Sequence, residues 1–214
     1  MISELKRCAR CPRLAKMRSQ VVPWEKPIES PRARVMFIGE APGKVEDAKG
    51  KPFQGPSAKG FNALRSALGL RREEIYVTNA VKCFAPEWNA NSKLGWQEIE
   101  RCRSEWLLNE IAEFKPFMIV ALGTTAMKAL LDDKALKLNL TKKADQWPKI
   151  AEAKTNMVHI LSDVEATNGN SFWLAPFWHP SPMNKWLFPQ KQAELERHPL
   201  VARYRTLIDQ ARKN

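Results

Sequence analysis

The sequence predicts an α/β protein: a three-layer α/β/α sandwich round a central, mostly parallel four-stranded sheet. Three observations carry this. "RVMFIG" is a short apolar run bounded by breakers, and "EIYVTNAVKC" is a second β-rich run. "FMIVALG" is almost continuously apolar, as a strand buried on both faces must be. Between these runs the apolar spacing changes to that of helices, and strands alternating with helices of such lengths form parallel sheets covered on both sides.

Taken in order, residues 3 to 19 are charged and partly helical, with the C-x2-C pair inside. "VVPWEKPIESPRAR" is punctuated by proline and runs extended over the surface. After the first strand comes the glycine-rich loop "GEAPGKVEDAKGKPFQG". Ser57 can then cap a helix whose Phe61, Leu64 and Leu68 share a face, and Gly69 can end it. "FAPEWNANSKLG" is a loop following the second strand. "WQEIERCRSEWLLNEIAEF" repeats apolar residues at Ile99, Cys102, Trp106, Leu107 and Ile111, and Lys115-Pro116 stops it. "TTAMKALL" starts another helix. Residues 133 to 155 are polar and Lys-rich, an insertion or long loop. "NMVHIL" and "FWLAPFWHP" read as further strands, and residues 189 to 212 as a basic terminal helix.

With 214 residues, no internal repeat and no linker between two cores, residues 1–214 are expected to form one domain. Hydrophobic residues at 44% and charged residues at 27% suit a globular protein. No apolar run is long enough for a bilayer, and "MISELKRCARCPRL" lacks the apolar stretch of a signal peptide. A cytoplasmic protein without a membrane partner is expected. The net charge of +12 produces a field that attracts polyanions, nucleic acid foremost, although charge alone is equally consistent with a non-specific basic surface.

There are four cysteines: Cys8, Cys11, Cys83 and Cys102. A C-x2-C pair with two remote partners suits a soft metal or iron–sulfur site better than cytosolic disulfides. Four unrelated buried thiols remain the alternative. The glycine-rich loop raises a different question. Glycines after a strand usually offer amides to phosphate, yet this loop carries Glu40, Glu46 and Asp47. Ligands of parallel sheets sit beyond the carboxyl ends of the strands, which singles out Gly39 to Gly55, Asn79 and His179.

Seven motifs, "CARC", "GEAPGKVED", "GKPFQG", "YVTNAVKC", "QEIERC", "IVALG" and "HPSPMN", together resemble the uracil-DNA glycosylase superfamily, and most closely its iron–sulfur branch, family 4. They stand in the family's order and cover most of residues 8 to 184. The resemblance implies a [4Fe–4S] cluster held by Cys8, Cys11, Cys83 and Cys102, stapling the N-terminal segment 1–30 to the core. Zinc is the alternative occupant.

The resemblance further implies a DNA-repair glycosylase that hydrolyses the N-glycosidic bond of uracil and leaves an abasic site without cutting the strand. Its partner would be uracil-containing DNA, single-stranded or with U:G pairs, and the protein is expected to be a monomer. Positive charge develops on the sugar in such a reaction, which explains acids in the loop. Glu40 would position water and assist the sugar cation, with Glu46 supporting loop geometry or water placement. Gly39 and Ala41 would lie beside the substrate. Phe53 would stack on the flipped base, and Asn79 would read its edge through an amide that both donates and accepts. His179 would donate to the developing oxyanion on the base. Ser181 and Lys185 would approach phosphates and Met183 the vacated stack. Asp47, and in part Glu46, read equally as solvated helix-start or loop charges, and His159 and His198 as structural.

The pattern departs from family 4 in two places. "HPSPMN" does not lead to the usual Leu-Leu-Arg ending. After Cys83 the proline-rich run becomes "FAPEWNANSK", with Asn89 the nearest match to its Asn and the Arg missing. Residues 84 to 101 contain no His, so covalent trapping of DNA is not expected. These altered loops, with the Lys-rich 133–155 segment, carry a second reading: a superfamily member that binds nucleic acid with weak or no excision. An iron–sulfur redox or sensing protein is a third, with no electron-transfer rationale.

Overall fold

The computed structural model describes residues 2–29, 33–85, 94–130, 172–182 and 192–213. Four strands, β1 (Val35–Gly39), β2 (Tyr76–Asn79), β3 (Met118–Leu122) and β4 (Trp173–Phe177), form one all-parallel sheet in the order β2-β1-β3-β4. The predicted strand "NMVHIL", the insertion at 133–155, and Asn89, His159, Met183 and Lys185 lie outside the described residues.

The sheet is covered on both faces, as near-continuous apolar strands demand. Met36, Ile38, Tyr76, Ile119 and Ala121 point to a layer built by α1 (Ile2–Lys6), α2 (Pro12–Met17), α5 (Trp96–Cys102), α6 (Leu108–Phe114) and α7 (Thr124–Leu130). Val35, Phe37, Val77, Val120 and Phe177 point the other way, to α4 (Ala58–Ala67), α8 (Gln192–Arg197) and α9 (Pro199–Ala211). A short α3 (Lys44–Lys49) follows the first loop and ends on Gly50 in the left-handed region.

Several elements differ from the sequence-based expectation. The C-x2-C pair lies between α1 and α2, not within a helix, because Pro12 begins a new one. The second strand ends at Asn79; its continuation meets the N-terminal segment at the antiparallel bridge Val21↔Cys83, and within the strand Val77 bridges Glu25. The helix through residues 96–114 contains a π-helical stretch at Arg103–Leu107. The terminal helix is two helices, because Pro199 lacks the N–H that continuity requires. His198 caps the second, its Nδ1 accepting the Leu200 N–H at 3.2 Å. Ser57 stands at the N-cap of α4 but makes no side-chain capping bond, while Gly69 ends that helix at φ +70 as expected.

The chain leaves β1 toward β2 but leaves β3 toward β4, so their carboxyl ends frame a topological switch point. Crevices at such points are where parallel sheets bind ligands.

Candidate active site

A cavity of ≈ 530 Å³ opens at this edge of the sheet. Glu40, Ala41, Glu46, Phe53, Asn79, His179 and Ser181, all candidates from the sequence, line it. Gly39 lies directly beneath: a Cβ added there would overlap Asn79 Oδ1 and come within 2.7 Å of Phe53 Cζ. The glycine is needed for this close approach, since its φ is not in the left-handed region. Lys44, within the loop the sequence singled out, also lines the cavity, as do Ser57 and Phe84, to which the sequence reading gave no place in the site.

Glu40 follows the last residue of β1 and is half-buried. Its Oε2 accepts a hydrogen bond from Thr125 Oγ1 at 2.8 Å. Thr125 is in the first turn of α7, directly after β3, so the contact spans the switch point. Thr125 was missed from sequence, although its place just beyond a central strand was the available signal. The Glu40 main-chain carbonyl accepts the Val81 N–H at 2.9 Å, and Gly39 accepts that of Ala80 at 2.8 Å. These bonds carry the ladder past the strand ends and fix Glu40 relative to Asn79.

Glu46 has the geometry of a loop organiser. Its Oε1 accepts the Gln54 and Gly55 N–H groups at 2.9 and 2.7 Å, and Oε2 accepts that of Gly43 at 3.1 Å. One buried carboxylate thus joins the two loops that wall the cavity, 39–43 and 52–57. Asp47 is not a solvated charge: it is 4% exposed and accepts Ser19 and Gln20 N–H groups at 2.8 and 3.4 Å. Its side chain ties α3 to the N-terminal segment.

Phe53 adopts φ 51, rare for a residue with a side chain. Three features hold it. Arg72 donates to the carbonyl of Pro52 at 2.9 Å, Glu46 fixes the two amides that follow, and the ring stacks on Phe61 at 4.4 Å and 19°. Arg72 in turn bonds Glu25 and lies over the Phe61 ring. The ring is therefore both a core group and a cavity wall. Asn79 is 5% exposed, and His179 follows β4 with its Cβ 3.0 Å from where a Cβ on Gly123 would stand.

A second, smaller cavity is lined by Cys8, Cys11, Cys83 and Cys102, with Arg10, Arg18 and Arg101 around it. All are free thiols. Arg18 Nη1 donates to Cys83 Sγ at 2.8 Å and Nη2 to the Cys8 carbonyl, while the Lys82 N–H donates to Cys102 Sγ at 3.3 Å. Burial raises the Cys11 and Cys83 thiols and pushes Cys102 up to about 12. Among the described residues no group of three or more His, Cys, Asp or Glu side chains is arranged to hold a metal ion. Nor is any described helix long and apolar enough to cross a membrane.

The fold and cavity define a class: an α/β protein with an acidic, amide-bearing cleft at the carboxyl edge of its parallel sheet. The chain belongs to the uracil DNA glycosylase superfamily, whose family model matches residues 27–198. It is 33% identical over 132 residues to the type-4 uracil-DNA glycosylase of Archaeoglobus fulgidus, covering 62% of each chain. Against the type-4 enzyme of Thermotoga maritima it is 36% identical over 143 residues, 66% of this chain and 69% of the relative. The type-5 uracil-DNA glycosylase of Pyrobaculum aerophilum matches at 29% over 210 residues, 86% of this chain and 82% of the relative. The chain spans less than two thirds of the length of the Archaeoglobus relative.

Proposed function

We propose that this chain excises uracil from DNA by hydrolysing its N-glycosidic bond, leaving an abasic site and an intact strand. The observation that carries this reading is the meeting of Glu40, Phe53 and Asn79 in one cavity at the switch point of a superfamily member. A flipped base stacks on Phe53, which contributes affinity for any base face. Asn79 selects uracil by pairing its amide with O4 and N3–H, a pattern cytosine does not present. Gly39 and Ala41 let the main chain approach the base closely.

Glu40, oriented by Thr125, holds the attacking water and favours the cationic sugar, while His179 donates to the oxyanion forming on the departing base. Glu46 acts through the loops and not on the substrate, since its oxygens are occupied by main-chain amides. Ser181, with Met183 and Lys185 further along the sequence, meets the DNA backbone and the vacated stack, and the +12 charge gathers the polyanion.

Cys8, Cys11, Cys83 and Cys102 would hold a [4Fe–4S] cluster. The donor set fits: four thiols, N–H groups directed at sulfur, and arginines to balance a cluster's negative charge. When bound, the cluster supplies a structural cross-link, because base hydrolysis transfers no electrons. In this way the N-terminal segment is fastened to a single 1–214 domain.

The test is incubation of the purified protein with uracil-containing DNA, single-stranded and U:G, followed by alkali to cleave abasic sites. Cleavage only after alkali supports monofunctional excision. Binding to both DNAs without cleavage would overturn it in favour of a nucleic-acid-binding role. Iron and sulfide determination on the same preparation tests the cluster: four of each per chain support it, and zinc in their place refutes it.

A further inference from the structure

Lys82 is 1% exposed, between the base-facing Asn79 and the cysteine cavity. Its ammonium lies 2.6 Å from Glu110 Oε1 on α6 and donates to Thr78 Oγ1 and to the Asn79 carbonyl, each at 2.6 Å. Two hydrogen bonds and one ion pair thus surround the ammonium. Tyr76 reaches the other Glu110 oxygen at 3.4 Å. The main chain of the same lysine faces the opposite way: its N–H donates to Cys102 Sγ and its carbonyl accepts from Val22 at 2.8 Å.

A buried ion pair is a poor way to gain stability. Each ion loses several kcal/mol of hydration, and apolar residues of similar volume often hold a fold as well. What this pair does achieve is geometric. Asn79 is the last residue of β2, and beyond it the chain turns toward Cys83. The lysine clamps the Asn79 carbonyl, fixing the peptide plane from which the amide side chain projects against Gly39. Glu110 anchors the clamp to α6, and Cys102 anchors its main chain to the thiol cavity. Lys82 is fully engaged and buried, so a role as nucleophile is not available to it.

We infer that Lys82 and Glu110 are positioning residues that hold Asn79 in register with the cysteine cavity, so that base recognition and the cysteine site are mechanically joined through one side chain. This rests on the reading of Asn79 as the group that pairs with the base edge.

The experiment is single-turnover uracil excision by Lys82→Met/Glu110→Leu, in the native background and with Asn79→Ala, alongside iron content per chain. The paired replacement leaves no buried charge alone. Excision should fall about tenfold or more in the native background and less than about twofold with Asn79→Ala, at unchanged iron, since coupled residues are non-additive. Thr78→Val, isosteric and charge-preserving, should show the same pattern at about threefold and decides the matter where the double variant fails to fold. Equal losses in both backgrounds, an undiminished rate, or a loss that tracks lost iron would overturn the inference. If Asn79→Ala alone retained the full rate, the reading of Asn79 would fail and this inference with it. An impaired Asn79→Ala with an indifferent lysine pair overturns only the latter.

Discussion

Thr125 Oγ1 donates to Glu40 Oε2 at 2.8 Å, joining the residues that follow the two central strands β1 and β3. The bond holds one carboxylate oxygen of a residue that lines the cavity. Hydrogen bonds to charged groups are worth about 1.5–3 kcal/mol, which corresponds to about tenfold or more in rate if the bond serves the transition state. Thr125→Val is therefore expected to slow single-turnover excision by about tenfold at unchanged DNA affinity. Thr125→Ser, which keeps the hydroxyl, should stay near the native rate; a Ser variant as slow as Val would refute the role.

Glu46 should separate from Glu40 by its effect on folding. Glu46→Ala leaves three main-chain N–H groups in a buried corner without their acceptor. At about 1–3 kcal/mol for each group left unsatisfied, partly relieved by water, Tm should fall by about 5–10 °C. Glu40→Gln should move Tm by less than about 2 °C. Thermal unfolding of the two variants side by side checks this.

Gly39→Ala tests the close packing at the floor of the cavity. Its methyl would overlap Asn79 Oδ1 and approach the Phe53 ring, so the two proposed base-binding groups must move apart. Excision should drop by about two orders of magnitude, the scale that a displacement of about 1 Å produces, while the protein stays folded. An active Gly39→Ala would show that Asn79 and Phe53 need not hold this geometry.

His198 makes stability depend on pH. Burial lowers its ionisation below the ordinary histidine value of 6.5, and its Nδ1 can cap α9 only while unprotonated. With the folded value depressed, the contribution is present above 6.5 and is lost as pH falls through the folded value. His198→Asn, which caps without titrating, should flatten the decline in Tm below pH 6.5. Parallel acid-side Tm curves for the two proteins would refute it.

Much of this was legible from pattern alone. The apolar run "VMFIG" gave β1 because a strand buried on both faces has no alternative composition, and the rule for parallel sheets then pointed to Glu40, Asn79 and His179. Thr125 could have been found by the same rule, since it follows β3, but Lys82 and Glu110 were not legible, because nothing in local spacing says which helix will lie behind which strand. Asp47 was misread for the same reason: its partners, Ser19 and Gln20, are remote in sequence, and only packing brings them together. The break at His198-Pro199 was visible in the proline and was missed because basic helical spacing continues on both sides.

The role of Glu40 is tested most directly by the single-turnover rate of Glu40→Gln on U:G DNA, measured with its DNA affinity. A carboxylate that positions water and favours the sugar cation requires the rate to fall by about 100-fold or more while affinity is unchanged. A rate within about twofold of native would contradict it.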